Sequence, residues 1–150
     1  MLATLVVAGF EGALASNVAV AFFIPGLVYL ADAIGTQSEA VAVRGLSLSH
    51  ASLGQLIGGK LRTGLLMEIT LAAIALPVAW LAFGNARLAA AVALALVCAG
   101  AVATSIGLFL PWLLGQLGSD PAYGSGPLAT IAQDLLTLLI YFGTVQAIAI

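Results

Sequence analysis

Pro121-Ala-Tyr-Gly-Ser-Gly-Pro127, a turn rich in glycine and proline, precedes the stretch that decides the fold, an apolar run from Leu128 to Ile150. Pro127 has the fixed φ that suits the first turn of a helix. At about 1.5 Å per residue the run is long enough to span a bilayer. A helical projection places a polar stripe on one side, with Gln133 at its edge: Thr130, Asp134, Thr137, Tyr141 and Thr144. A spanning helix with such a stripe must turn it towards protein or water.

The composition is that of an integral membrane protein. Of the 150 residues, 63% are hydrophobic and only 7% are charged, with a mean hydropathy of +1.20. No water-soluble domain of this size resembles it. The net charge of −2 is too small to favour nucleic acid or an acidic partner. The single Cys98 cannot form an intrachain disulfide, and its apolar neighbours indicate a packing role.

Five membrane crossings are predicted in one all-α domain, at about residues 1–13, 18–48, 64–83, 88–110 and 127–150. The first segment is short, and its alternative interpretation is a signal peptide, although no Lys or Arg precedes its apolar part. The second segment contains Pro25 and Gly35, so we expect it to kink or to protrude from the bilayer. Residues 45–63 are predicted as a connecting loop with a short interfacial helix. Within that loop, His50 caps or is solvated rather than binding a metal.

Four of the six acidic residues fall inside predicted spans: Asp32, Glu39, Glu68 and Asp134. Asp32 and Glu39 are seven residues apart and nearly superpose on one side of the second segment, together with Tyr29 and Thr36. The alternative for Asp32 and Glu39 is a capped helix break or a carboxylate at the lipid interface. A carboxylate in a span is costly and is normally retained for an ion, a proton relay or a water path.

The basic residues predict the orientation. Arg44, Lys60 and Arg62 flank the connection between the second and third spans, which is therefore expected to be cytoplasmic. Because successive spans alternate in direction, the N-terminus is then expected inside and the C-terminus outside. Only Arg87, in a turn expected outside, does not fit this orientation. At about 1.5 Å per residue, the four acids in the spans lie in the inner half of the bilayer.

An acid cluster without a buried basic partner favours a cation. Because the candidate ligands are oxygens, with no accompanying set of His and Cys, they favour a hard cation such as Mg²⁺ over zinc or copper.

Several short motifs resemble the membrane domain of the MgtE family of magnesium channels and transporters. They are Ala21-Phe-Phe-Ile-Pro25, Gly35-Thr-Gln-Ser38, Arg44-Gly-Leu46, Asp120-Pro121, Ser125-Gly-Pro-Leu-Ala-Thr130, Asp134 and Leu139-Ile-Tyr-Phe142. Their order and spacing match over nearly the whole chain. The resemblance implies a homodimer of five-helix subunits, with an ion pore on the dimer axis lined by the second and fifth helices. It also implies that Asp134 corresponds to the family's pore aspartate.

The sequence departs from the family pattern in three places. The family's N-terminal domain and paired CBS modules are absent from it, so their magnesium-dependent closure is not carried over, and a separate regulatory protein is left open as a partner. Ala31-Asp32-Ala33 replaces the family's Gly-Gly-Asn, which adds a carboxylate. The first helix is shorter than the family's.

These observations predict a homodimeric divalent-cation channel or transporter rather than an enzyme, with Mg²⁺ as the favoured ion. Asp134 is the predicted ion site, because a two-fold axis would bring two copies of it face to face. Asp32 and Glu39 are predicted to line or enter the inner vestibule, and Thr130 and Thr137 to supply further oxygen donors. Glu68 completes the predicted set.

Two other functional classes stay open at this point. In one, the carboxylates are the proton or sodium relay of a coupled divalent-cation exchanger, whose flux would depend on an opposing gradient. In the other, the chain is a non-transporting assembly subunit whose acids pair with basic residues of a partner protein.

Overall fold

The computed structural model describes residues 2–49, 53–123 and 125–150, which form α-helices and no strand. The helices are α1 (Leu2–Gly9), α2 (Glu11–Ser16), α3 (Ala19–Ser49), α4 (Leu53–Phe83), α5 (Ala86–Gln116) and α6 (Ser125–Ile148). Of these, α3, α4, α5 and α6 are each long and apolar enough to cross a membrane. The prediction of an all-α membrane fold is therefore confirmed.

Helix α5 lies at the centre of the bundle and packs against α3, α4 and α6. Alanines at every fourth position, Ala91, Ala95, Ala99 and Ala103, are completely or almost completely buried. Residues spaced four apart form one ridge along a helix. A ridge of such small side chains lets neighbouring backbones approach closely, which is how helices associate where lipid supplies no hydrophobic driving force between them.

Helix α4 lies at the edge of the bundle, because its main neighbour is α5 alone. Its outward side chains Leu66, Ile74 and Leu81 are exposed, as expected for a face that meets lipid hydrocarbon.

The turn between α4 and α5 is defined by two local features. Gly84 adopts a left-handed φ of 64°, which glycine tolerates without strain, and the Asn85 side chain accepts a hydrogen bond from the Leu88 backbone N–H at 3.0 Å.

The loop predicted over residues 45–63 is wrong for most of its length. Helix α3 continues to Ser49 and α4 already begins at Leu53, while His50 lies outside the described residues. Gly54, Gly58 and Gly59 weaken a helix by only about 1 kcal/mol each, and nothing between 53 and 63 breaks one. Within α4, the stretch from Arg62 to Phe83 is long and apolar enough to span a membrane.

The first predicted crossing consists of two short helices, α1 and α2, of 8 and 6 residues. The chain leaves helical geometry at Phe10, whose ring stacks on Phe142 of α6 with a centroid distance of 4.5 Å. Neither helix is long enough alone to cross about 30 Å of hydrocarbon. The bundle described here thus holds four helices of spanning length, and the fifth crossing stays a prediction.

The other predicted boundaries differ by a few residues. Helix α6 begins at Ser125 rather than 127, and α5 runs on through the buried Pro111 to Gln116. At 31 residues each, α3, α4 and α5 are about 46 Å long. Helices of that length must tilt in a bilayer or extend beyond it.

Candidate functional site

A cavity of about 580 Å³ opens between α1, α3 and α6. Most of its wall is apolar, but Asp32 of α3 and both Thr130 and Asp134 of α6 also line it. The structure therefore brings together three of the residues that the sequence singles out. Asp134 additionally lines a second cavity of about 340 Å³, beside Ile131 and Leu135, so it is the carboxylate that both openings reach.

One carboxylate of the larger cavity accepts a hydrogen bond from a hydroxyl on the facing helix. Thr130 Oγ1 donates a hydrogen bond to Asp32 Oδ1 at 3.1 Å, and Asp134 follows Thr130 by one helical turn on the same side of α6. All three side chains are half-buried. Thr36, although predicted on the face of Asp32, donates to the backbone carbonyl of Asp32 at 2.9 Å and supplies nothing to the cavity.

Helices α3 and α6 run antiparallel, with three polar contacts along their length. Tyr141 Oη donates to the Val20 carbonyl at 2.8 Å near one end. Thr130 and Asp32 make the middle contact. At the other end, the Ser125 hydroxyl donates to Glu39 Oε1. Each contact orients α6 on α3, which fixes the wall on which Asp32 and Asp134 lie.

Glu39 does not reach the cavity, although it nearly superposes on Asp32 in projection. It is 9% exposed, and Ser125, its hydrogen-bond donor, is fully buried at the first position of α6. Glu39 lies two helical turns further along α3 than Asp32, at the level where α6 begins. The start of α6 therefore covers it. A carboxylate beside the first turn of a helix is favoured by the exposed N–H groups there. The contacts of Glu39 therefore favour a structural role in which it holds the start of α6 against α3.

Glu68 lies in a different seam, between α4 and α5. It is 1% exposed, and its Oε1 accepts a hydrogen bond from Thr104 Oγ1 at 3.2 Å. Its Oε2 has no partner among the described residues. Gly64 and Gly100 make room for the pair, because a methyl group on either would overlap Thr104 or Glu68. These contacts favour a packing role for Glu68.

The polar stripe predicted on α6 is divided by depth. At the level of Thr130 and Asp134 it opens onto the cavity, whereas Thr137 and Tyr141 are 1% and 0% exposed. Tyr141 belongs to the main apolar core, together with Leu138 and Phe142. Thr137 is therefore separated from the cavity wall, and its predicted role as an oxygen donor stays a prediction.

Sequence reasoning missed the importance of Gln133. It stands at the edge of the stripe, but the structure buries it to 1% exposure, with Nε2 donating to the Ala103 carbonyl of α5 at 3.2 Å. The available signal was a pair of glycines, Gly35 and Gly107, at the positions where α3, α5 and α6 meet.

The described residues of a single chain do not form a complete metal site. In residues 2–49, 53–123 and 125–150, no three His, Cys, Asp or Glu side chains are grouped closely enough to hold a metal ion. Mg²⁺ is commonly held by one or two carboxylates and keeps several of its waters. Asp32, Asp134 and the Thr130 hydroxyl match that ligand chemistry, with the remaining positions left to water or to a second copy of the chain.

Comparison with known proteins adds a family. The family model MgtE, described as a divalent cation transporter, matches residues 24–144. The chain is 37% identical over 145 residues to the magnesium transporter MgtE of Bacillus subtilis (strain 168), covering 95% of this chain and 32% of that protein. For the magnesium transporter MgtE of Enterococcus faecalis the identity is 34% over 139 residues, covering 91% and 31%.

A third relative, the magnesium transporter MgtE of Thermus thermophilus, is 31% identical over 150 residues, covering 97% of this chain and 33% of that protein. The chain thus spans about a third of the length of the curated relatives that it matches. Because the family model covers most of the chain, from the first turns of α3 to the last turns of α6, the chain belongs to the MgtE family of divalent cation transporters.

Proposed function

We propose that this chain conducts divalent cations across a membrane as a homodimer, with a pore on the two-fold axis lined by α3 and α6. These two helices are the second and fifth helices of the sequence-based prediction. Mg²⁺ is the proposed ion, the relatives being named magnesium transporters. The proposed orientation has a cytoplasmic N-terminus and an outside C-terminus.

The observation that carries the proposal is the shared cavity of Asp32, Thr130 and Asp134. In a bilayer, a carboxylate at this depth costs at least about 2.5 kcal/mol on insertion scales. Two carboxylates on one wall add mutual repulsion. The three arginines in the described part of the chain, Arg44, Arg62 and Arg87, are exposed, and Arg44, which shares α3 with Asp32, lies about 18 Å further along that helix. A divalent cation offsets both costs at once.

A homodimer would complete the same site. A single protomer supplies one Asp134, and a two-fold axis beside α6 supplies two. Leu128, Ile131 and Leu139 give α6 an exposed apolar face next to the cavity, which a second copy can cover. A largely hydrated Mg²⁺ between the carboxylates would be bound strongly enough to enter and weakly enough to leave.

The direct test is uptake by proteoliposomes that contain only the purified chain, measured over a series of Mg²⁺, Mn²⁺, Co²⁺ and Ca²⁺. We expect flux driven by the ion's own gradient, with Mg²⁺ conducted in the absence of any second protein. Flux that requires an opposing proton or sodium gradient would assign a coupled exchanger instead. No flux from folded, dimeric protein would assign a non-transporting subunit.

The dimer geometry has its own test in a Cys98→Ser background. A cysteine at Ile131, exposed beside Asp134, should crosslink between subunits, because it lies next to the proposed axis. Leu81→Cys, equally apolar but on the outward face of α4, is the matched control and should not crosslink. The reverse pattern would place α4 rather than α6 at the axis and would reject a pore lined by α3 and α6.

A further inference from the structure

Gln133 is the buried polar side chain closest in sequence to the proposed ion site. It precedes Asp134 on α6 and is 1% exposed. Its Nε2 donates to the Ala103 carbonyl of α5 at 3.2 Å, while its Oε1 has no partner among the described residues. Burying an amide oxygen without a partner is unfavourable, so a hydrophobic residue of similar size would be the simpler choice for packing alone.

The carboxamide of Gln133 lies against Gly35 of α3. A Cβ at Gly35 would overlap all three terminal atoms of that carboxamide. Gly35 follows Asp32 by one helical turn, so Gln133 meets α3 next to the turn that carries the second carboxylate. The absence of a side chain at Gly35 is what lets the amide reach this position.

Helix α5 also approaches α3 closely, at a glycine of its own. A Cβ at Gly107 of α5 would overlap the Gly35 carbonyl oxygen and lie 3.0 Å from the Glu39 backbone nitrogen. Backbone atoms cannot move aside as a flexible side chain can. Helices α3 and α5 are thus held close together at Gly35 and Gly107, and the Gln133 carboxamide of α6 packs against the same Gly35, one helical turn from Asp32.

We propose that Gln133 is a positioning residue that sets the spacing of Asp32 and Asp134, and through it the preference among divalent cations. This inference rests on the proposed function. The hydrogen bond to Ala103 fixes the rotation of α6 about its axis, and the contact with Gly35 fixes its distance from α3. Mg²⁺ requires near-ideal octahedral geometry, whereas Ca²⁺ accepts longer and more irregular coordination, so a change in spacing affects Mg²⁺ more.

The test compares Gln133→Leu with Thr104→Val in proteoliposomes. Gln133→Leu removes the anchor and keeps a similar volume, and the apparent KM for Mg²⁺ should rise by about tenfold, since displacement of a binding group by a fraction of an ångström has effects of this order. Preference for Mg²⁺ over Ca²⁺ should fall, and Vmax per folded protein should change little. Thr104→Val removes an equally buried polar contact from the α4–α5 seam, and KM should stay at the wild-type value.

A purely structural role would give the opposite result. Gln133→Leu would then lower thermal stability and the amount of active protein, with KM and selectivity unchanged, as for Thr104→Val. That outcome overturns the inference. If Gln133→Leu does not fold, Gln133→Met, which is unbranched and of the same length, decides by the same criteria.

A readout without transport separates this inference from the proposed function. Cysteines at Asp32 and Asp134, in a Cys98→Ser background, should be joined within one subunit by a short bifunctional thiol reagent. Adding Gln133→Leu should lower that intrachain yield, and adding Thr104→Val should not. Absence of divalent flux in the wild type would reject the proposed function, whereas an intrachain yield unaffected by Gln133→Leu would reject the positioning role.

Discussion

Two seams of the bundle contain nearly the same hydrogen bond in different surroundings. Between α3 and α6, Thr130 donates to Asp32 at 3.1 Å; between α4 and α5, Thr104 donates to Glu68 at 3.2 Å. The first pair is half-buried on the wall of a cavity that also holds Asp134. The second is enclosed, and Glu68 is 1% exposed.

Under the proposed function, the difference indicates what a carboxylate in a membrane bundle needs in order to bind a cation. A hydroxyl partner is present in both seams, so the hydrogen bond does not separate them. The two seams are distinguished by available space and by the presence of a second carboxylate. Both matter because a hydrated cation needs a cavity to enter and enough negative charge to replace part of its water. Of these two seams, the one between α3 and α6 combines both features.

The largest expected effect comes from adding one methyl group to α5, either where it meets α3 or where it meets α4. In Gly107→Ala the new Cβ meets the backbone of α3, which cannot yield, so we expect loss of about 3 kcal/mol or more of stability. In Gly100→Ala it meets the Glu68 side chain, which can rotate, so the loss should be smaller. Gly143→Ala, which meets nothing within 4 Å, is the control. Thermal unfolding in detergent measures all three, and equal losses at Gly107 and Gly100 would contradict the difference expected between a contact with backbone and a contact with a side chain.

A smaller and more specific effect is expected from Asp32→Asn. The change keeps the shape and the oxygen that Thr130 contacts, but it removes one charge from the cavity. Divalent selectivity should shift by several-fold, because fewer charges favour a different degree of dehydration, while the dimer persists. Asp120→Asn is the matched control, since Asp120 is exposed and bonds only its own turn through the Ala122 N–H. A flux and selectivity series identical in Asp32→Asn and wild type would return Asp32 to a structural role.

Helix α6 illustrates what the sequence could and could not predict. Its length, its start near Pro127 and the side on which Asp134 projects all follow from helical periodicity and apolar length. The same periodicity grouped Thr137 with Asp134 and Glu39 with Asp32, and the structure separates both pairs. Projection gives the angle of a residue on its own helix, but not which neighbour covers that angle at a given depth, and this second fact depends on packing.

The boundary of α4 and the role of Gln133 were out of reach for related reasons. Gly54, Gly58 and Gly59 suggest a loop by composition, yet a helix tolerates them where nothing else breaks it. Gln133 lies one residue from Asp134 and still contacts a different helix, since 100° of rotation separates successive side chains. A glycine such as Gly35 indicates a close approach, but not the residue that approaches.

We expect divalent cations to pass Asp134 and not Glu68, and one paired measurement distinguishes the two carboxylates. Initial rates of Mg²⁺ uptake are compared in proteoliposomes that contain Asp134→Asn or Glu68→Gln protein, each reconstituted at equal amounts of folded dimer. Both changes remove one carboxylate charge and keep its shape. We expect Asp134→Asn to fall to the rate of empty liposomes and Glu68→Gln to stay close to the wild-type rate. Asp134→Asn protein that carries Mg²⁺ at the wild-type rate would reject Asp134 as the ion site.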